Sequence, residues 1–246
     1  ARTVMHLGEN DVHIWHVELA GVAPDLINRY RAIMSAEELQ KNQRYRFERS
    51  RFSDCVTRVL VREVLSNYAD RAPESWSFYK GEHGKPEALN SPVPLRFNLS
   101  HSAYHIACAV TATYDVGLDI EYTGRKNDVL AIADRYFSAG EIEDLFALPI
   151  EQQRGRFFDY WTLKEAYMKA SGEGISLGLG NFSFHFNGDK VSRISFGEKI
   201  DDNPDDWLFQ QSEPAQDHRM ALAVRCGSSN TSKLSIRQFS TVPLTS

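Results

Sequence analysis

The sequence predicts an α+β fold assembled from two related halves, and three observations predict it. The segment Met34-Ser35-Ala36-Glu37-Glu38-Leu39 is echoed by Phe137-Ser138-Ala139-Gly140-Glu141-Ile142. Both segments set a Ser three residues before a Glu, the capping box that opens a helix. In each half helices come first and a run of short strands follows, as duplication of an α+β unit would give. No stretch rich in Pro, Gly or Ser divides the halves, which are read as residues 1–113 and 114–246 packed as one body.

Each element has a local cause. Val12 to Leu19 alternates loosely as a strand, and Asp25 to Met34 reads as a helix. Ser35 opens the next helix. From about Phe52, the set Cys55, Val56, Val59, Leu60, Leu65 and Tyr68 marks a long amphipathic helix. Trp76 to Tyr79, Leu95 to Leu99 and Ile106 to Thr111 are short strands set off by Gly and Pro. The second half starts at Val116 with an apolar, β-branched strand, whose period of two puts Asp119 and Glu121 on one face. Gly124 to Phe137 reads equally as a core-facing helix, with Val129, Ile132, Ala133 and Phe137 at helical spacing, or as an apolar contact surface for a partner. A long helix from about Glu151 to Ser171 is stopped by Gly172. Phe182, Phe184 and Phe186 share one strand face, and Asn187-Gly188 turns the chain into Val191 to Phe196. Trp207 to Gln211, Met220 to Val224 and Leu234 to Phe239 complete the second half.

Composition narrows the class. The 246 residues are 42% apolar and 25% charged, ordinary values for a soluble globular protein. No apolar run is long enough to span a membrane, and the stretch Ala1-Arg2-Thr3-Val4-Met5-His6 lacks a signal-peptide core. Cys55, Cys108 and Cys226 are widely spaced among apolar neighbours, as buried free thiols would be. A cytoplasmic protein without membrane contact is expected. The net charge of -5 argues against nucleic acid as a partner. Between Lys41 and Arg62, however, seven basic residues face only Glu48 and Asp54. That segment is read half as a solvated helix face and half as a docking surface for a phosphorylated ligand or an acidic protein.

Two distant stretches ask for a divalent metal on a phosphate. One is the strand bearing Asp119 and Glu121, two like charges that repel unless a cation sits between them. The other is Trp161-Thr162-Leu163-Lys164-Glu165-Ala166-Tyr167-Met168-Lys169, where spacings of four stack Trp161, Glu165 and Lys169 up one helix side. Carboxylates with a lysine nearby suit Mg²⁺, whereas zinc prefers sulfur and imidazole. His101 and His105 lack the glutamate of a His-Glu-x-x-His site, since Ser102 stands there. No Gly-x-Ser-x-Gly elbow supports a serine hydrolase.

Four blocks in order then carry a resemblance: Gly84-Lys85-Pro86, Phe97-Asn98-Leu99-Ser100-His101-Ser102, Gly117-Leu118-Asp119-Ile120-Glu121, and Trp161 to Lys169. Together they resemble the Sfp-type 4′-phosphopantetheinyl transferases over most of the chain. The resemblance implies a monomer of two pseudo-twofold related α+β halves, with coenzyme A and Mg²⁺ in the cleft between them. It implies Asp119, Glu121 and Glu165 as metal carboxylates, with Glu165 also the candidate base, directly or through a metal-bound water. Lys169 and His101 would stabilise charge on the diphosphate. Ser100 and His101 would meet coenzyme A phosphates, and Gly84, Lys85 and Pro86 would line the nucleotide end. Arg49 is the first choice for the 3′-phosphate, with Lys41, Arg44 and Arg51 as alternatives. The implied reaction moves 4′-phosphopantetheine to a serine of an apo acyl carrier protein or peptidyl carrier domain, releasing adenosine 3′,5′-bisphosphate. The carriers could serve fatty acid, polyketide or nonribosomal peptide synthesis. The alternatives are a Mg²⁺-dependent nucleotide phosphoesterase and a non-catalytic coenzyme A-binding module.

Overall fold

The structure is a computed structural model and describes residues 3–245, so Ala1 and Arg2 of the N-terminal stretch lie outside the described residues. The chain forms two compact units. One runs to Gly81, resumes over Lys85–Thr113 and takes the chain from Ser235 onward; the other holds Glu82–Gly84 and Tyr114–Leu234.

In the first unit β1 (Asp11–Glu18) is followed by α1 (Leu26–Ile33), α2 (Ala36–Gln43) and the long α3 (Glu48–Ser66). A short hairpin, β2 (Phe78–Lys80) with β3 (Pro86–Ala88), precedes β4 (Arg96–His101) and β5 (His105–Thr111). The second unit repeats this order. It has β6 (Asp115–Tyr122), α4 (Val129–Tyr136), α5 (Ala139–Ala147) and the long α6 (Ile150–Ser171). The hairpin of β7 (Phe182–Asn187) and β8 (Lys190–Phe196) then precedes β9 (Trp207–Ser212) and β10 (His218–Arg225). Strand orders match as well: β1-β5-β4 in one sheet and β6-β10-β9 in the other.

The last strand, β11 (Ser235–Ser240), departs from the sequence reading. It pairs parallel with β1, Asp11 opposite Ser235, and so joins the first unit rather than the second. Periodicity assigns a segment to a strand but not to a sheet edge, and a parallel partner must arrive by a long connection. Three smaller differences have local causes. α3 begins at Glu48, before its apolar stripe, because the exposed first turns carry charged residues. β3 was not read, since Pro86 opens it at an edge position. The β7–β8 turn is Gly188-Asp189, with Asn187 still paired to Lys190 and Gly188 at φ +62°.

Both capping boxes form as read, with Ser35 and Ser138 accepting from Glu38 and Glu141 N–H groups. Each box glutamate has a second task. Glu38 pairs with Arg62 of α3, which is 2% exposed, and Glu141 pairs at 2.6 Å with Lys164 of α6, which is fully buried. Each cation also donates to two carbonyls at the entry to its unit's hairpin. Arg62 reaches Pro73 and Trp76 at 3.1 and 2.6 Å; Lys164 reaches Leu179 and Phe182, both at 2.6 Å. One buried ionic latch thus ties the short helix, the long helix and the hairpin in each unit. Burial pushes the Lys164 ammonium down and the Glu141 carboxyl up, while the attraction of the pair opposes both shifts.

The three cysteines are buried free thiols, as expected. No helix among the described residues is long and apolar enough to cross a membrane.

Removing one partner of a buried ion pair leaves a charge without compensation, which costs about 3–5 kcal/mol. Glu141→Ala should lose stability on that scale in guanidinium unfolding. The double replacement Glu141→Leu/Lys164→Met should recover part of it, because it removes both charges together.

Candidate active site

The second unit brings β6 and α6 into unusually close contact. A Cβ at Gly117 would lie 2.0 Å from the Ala166 carbonyl oxygen and 2.7 Å from the Ala170 nitrogen. Only glycine on the strand, set against alanines on the helix, lets the two backbones meet this way. The alternation of β6 then turns Asp119 and Glu121 to the same helix-facing side as Gly117. Val116, Leu118 and Ile120, on the opposite face, are all buried.

From Trp161 to Ala170 every α6 residue is buried except Trp161, Glu165 and Lys169. This half-open stripe is the helix side picked out by spacings of four. Trp161 stacks on Phe157 and donates from Nε1 to Glu121 Oε1 at 3.2 Å. Lys169 donates to the Leu118 carbonyl at 2.8 Å and stands 3.7 Å from Asp119 Oδ1, a side chain just 7% exposed. Glu121 also pairs with Arg125 in the loop after β6. Burial raises the Glu165 carboxyl above its usual range, with Lys169 opposing that shift and the charge of Glu121 adding to it.

Among the described residues, no group of three or more His, Cys, Asp and Glu side chains is drawn together tightly enough to hold a metal ion. Asp119, Glu121 and Glu165 reach one strand–helix pair, but Lys169 and Arg125 have taken the two strand carboxylates. The donor set still fits a hard divalent cation in chemistry. All its ligand atoms are carboxylate oxygens, and Glu165 is half-buried within the field of Glu121.

Lys164, next to Glu165 in the same motif, belongs to the core latch. Its register with Phe157 and Tyr160, both buried, was the available signal, since spacings of three and four place it on their face. The end of α6 is closed by Gly172 at φ +75°, whose N–H donates to the Met168 carbonyl at 3.0 Å. A Cβ there would lie 2.7 Å from the His83 ring. The turn containing His83 and Gly84, itself at φ +75°, therefore rests on the end of this helix.

The first unit holds the other named residues. Arg49 donates to the Ala103 carbonyl at 3.0 Å and lies over the Tyr104 ring, next to the loop that follows His101. Ser100 is buried near the end of β4 and His101 is exposed at its last position. His101 and His105 flank a tight turn, where the Ser102 N–H donates to the His105 carbonyl at 2.8 Å, so their spacing is not that of a helical metal pair. Lys85 is half-buried, its carbonyl accepts the Gly81 N–H at 2.7 Å, and Pro86 begins β3. Much of the basic segment proves structural. Arg62 is in the core, Arg58 pairs with Asp54, and Lys41 pairs with Glu37. Arg44 and Arg46 are exposed, and Arg51 donates to the Tyr45 carbonyl at 3.0 Å.

Strand carboxylates set against a helix that carries a glutamate and a lysine make a half-open cluster of acids with a cation beside it. The pattern of the 4′-phosphopantetheinyl transferase superfamily matches residues 115–223, the stretch that builds it. The 4′-phosphopantetheinyl transferase psf-1 of Bacillus pumilus is 36% identical over 81% of this chain and 82% of its own. HetI of Nostoc sp., also a 4′-phosphopantetheinyl transferase, is 36% identical over 68% of this chain and 71% of its own. Sfp of Bacillus subtilis is 34% identical over 65% and 70%. The chain belongs to the 4′-phosphopantetheinyl transferase superfamily, and it is an enzyme of that class.

Gly117→Ala forces a methyl group onto helix backbone that cannot yield as a side chain would. Overpacking of this kind costs about 1–3 kcal/mol. The variant should unfold at lower denaturant and lose activity beyond what its folded fraction explains, because Asp119 and Glu121 are displaced from α6. Wild-type turnover in a folded Gly117→Ala protein would break the link between this contact and the site.

Proposed function

We propose that the protein transfers 4′-phosphopantetheine from coenzyme A to a serine hydroxyl of an apo carrier protein, with Mg²⁺ held by Asp119, Glu121 and Glu165. The observation that carries the reading is the half-open stripe of Trp161, Glu165 and Lys169 facing the carboxylates of β6. When bound there, the cation would neutralise the diphosphate and polarise the phosphorus under attack.

The chain's own residues supply the rest. Glu165, its carboxyl raised by burial above the usual range, is assigned to accepting the serine proton, directly or through a water. The serine oxygen bonds to the phosphorus bearing the pantetheine arm. The bond from that phosphorus to the departing adenosine 3′,5′-bisphosphate breaks. Lys169 stabilises charge on the leaving group. In the first unit, Ser100, His101 and Arg49 are assigned to coenzyme A phosphates, and exposed Arg44 and Arg46 to an acidic carrier surface. Transfer of this kind rests on positioning and electrostatics, so no covalent enzyme intermediate is required. The site is proposed to work in the cytoplasm and in a monomer.

Mass spectrometry of several apo carriers incubated with coenzyme A and Mg²⁺ tests the reading. Carriers should gain one phosphopantetheine arm, and Glu165→Ala and Asp119→Ala should lose at least about a hundredfold in rate while remaining folded. Cleavage of coenzyme A with no carrier present would favour a phosphoesterase instead.

The raised carboxyl gives a pH dependence of definite sign. Below its folded pKa Glu165 is protonated, and a cation must displace that proton to bind. Mg²⁺ affinity should therefore fall as pH is lowered through the Glu165 pKa, which burial has raised above that of exposed carboxylates. Calorimetric titration should show growing proton release as pH falls through it, and Glu165→Gln should abolish the release.

A further inference from the structure

Glu121 has both carboxylate oxygens engaged. Oε1 accepts from Trp161 Nε1 at 3.2 Å, and Oε2 is paired with the guanidinium of Arg125. These partners differ in kind. Trp161 is stacked on Phe157 within the helix, so its donor is fixed. The Arg125 side chain is 50% exposed, so it can leave its carboxylate for water at little cost.

The backbone beneath Arg125 is held firmly. Arg154, from the first turns of α6, donates to the carbonyl of Thr123 at 3.1 Å, to that of Asn127 at 3.2 Å and to that of Arg125 itself. One guanidinium therefore gathers three carbonyls of the loop that leaves β6, and anchors the loop to the helix that carries Glu165. With its backbone pinned, Arg125 has only its side chain to move. Lys169, the other cation beside the strand carboxylates, is 29% exposed and also bonded to the Leu118 carbonyl, so it is the less mobile of the two.

We infer that Arg125 is a resident counter-ion of the metal site, which holds Glu121 until a divalent cation displaces it, while Trp161 keeps the carboxylate aimed throughout. The inference rests on the metal reading proposed above and adds a competitor within the chain. Arg125 and the dication compete for one oxygen, so the arginine lowers the apparent affinity for the metal by the strength of its own pairing. The freed guanidinium is then available to an anionic oxygen of the incoming diphosphate, which would couple cation and cosubstrate uptake.

The test is Mg²⁺ binding by isothermal titration calorimetry on the full chain without coenzyme A. Arg125→Gln should bind Mg²⁺ about three- to fivefold more tightly than wild type, the range set by a partly exposed ion pair. Arg125→Lys, which keeps a mobile cation, should lie near wild type. Lys126→Gln removes an equal charge from the neighbouring exposed position and should change affinity less than Arg125→Gln does. Weaker or unchanged binding in Arg125→Gln overturns the inference, since an arginine that merely braced the loop would weaken the site when removed. Equal gains in Lys126→Gln and Arg125→Gln also overturn it, because general electrostatics would then suffice. If wild-type and Asp119→Ala proteins bind Mg²⁺ identically, the metal reading itself fails and the counter-ion role falls with it.

Discussion

The site depends on one steric fact, the contact of the β6 backbone with the α6 backbone at Gly117. No side chain separates strand from helix there, so the next two residues on the same strand face, Asp119 and Glu121, are carried directly alongside the stripe of Trp161, Glu165 and Lys169. A larger residue at 117 would lift the strand away, and every distance in the site would open together. The glycine and alanines of these motifs are therefore as much a part of the chemistry as the acids. They fix the separation over which the carboxylates and the Lys169 ammonium interact, and electrostatic energies change steeply at such distances.

The two units put one scaffold to two uses. Aligned on the ionic latches, Arg62-Glu63 of α3 corresponds to Lys164-Glu165 of α6. Glu63, however, accepts from the backbone N–H of Leu244 at 2.5 Å, so it anchors the returning C-terminal segment. On β1, at the places that β6 gives to its acids, pair-for-pair counting from Asp11 and Asp115 finds Trp15 and Val17. Trp15 donates to Tyr68 Oη at 2.8 Å and stacks on Phe239 of β11. The same architecture has been closed over with aromatic packing and an extra strand in one unit, and left half-open in the other. The two units share one plan, and the second alone carries acids at these two strand positions.

Most of the element order was legible because its signals are local. A capping box, a terminating glycine and an alternating strand each act within a few residues, and Ser35, Ser138, Gly172 and the strand from Asp115 behave accordingly. The half-open stripe of α6 was legible too, since helical spacing alone groups Trp161 with Glu165 and Lys169. What was not legible required a partner from far along the chain. Ser235–Ser240 reads as a strand, yet nothing in its own pattern says it will lie beside β1. Burial of a cation is normally prohibitive, so the sequence around Lys164 or Arg62 does not by itself place either charge inside. They are inside because Glu38 and Glu141, already committed to capping, can compensate them. Arg125 and Arg154 carry no motif at all, and their roles follow from where one loop happens to run.

The latch also explains how a site that must hold repelling acids can be stable. A helix carrying Glu165 on its half-open side would gain from tilting outward, where the carboxylate is better solvated. Three attachments oppose that tilt. Near its start Arg154 grips the loop after β6, in its middle Lys164 is tied to Glu141 and to two carbonyls, and at its end Gly172 is packed on the His83 ring. Lys164 and Glu165 are adjacent, so they point to different sides of the helix, and the ion pair behind holds the acid in front. The cost of keeping Glu165 half-buried near Glu121 is thus borne by interactions on the opposite face, which are satisfied before any ligand arrives.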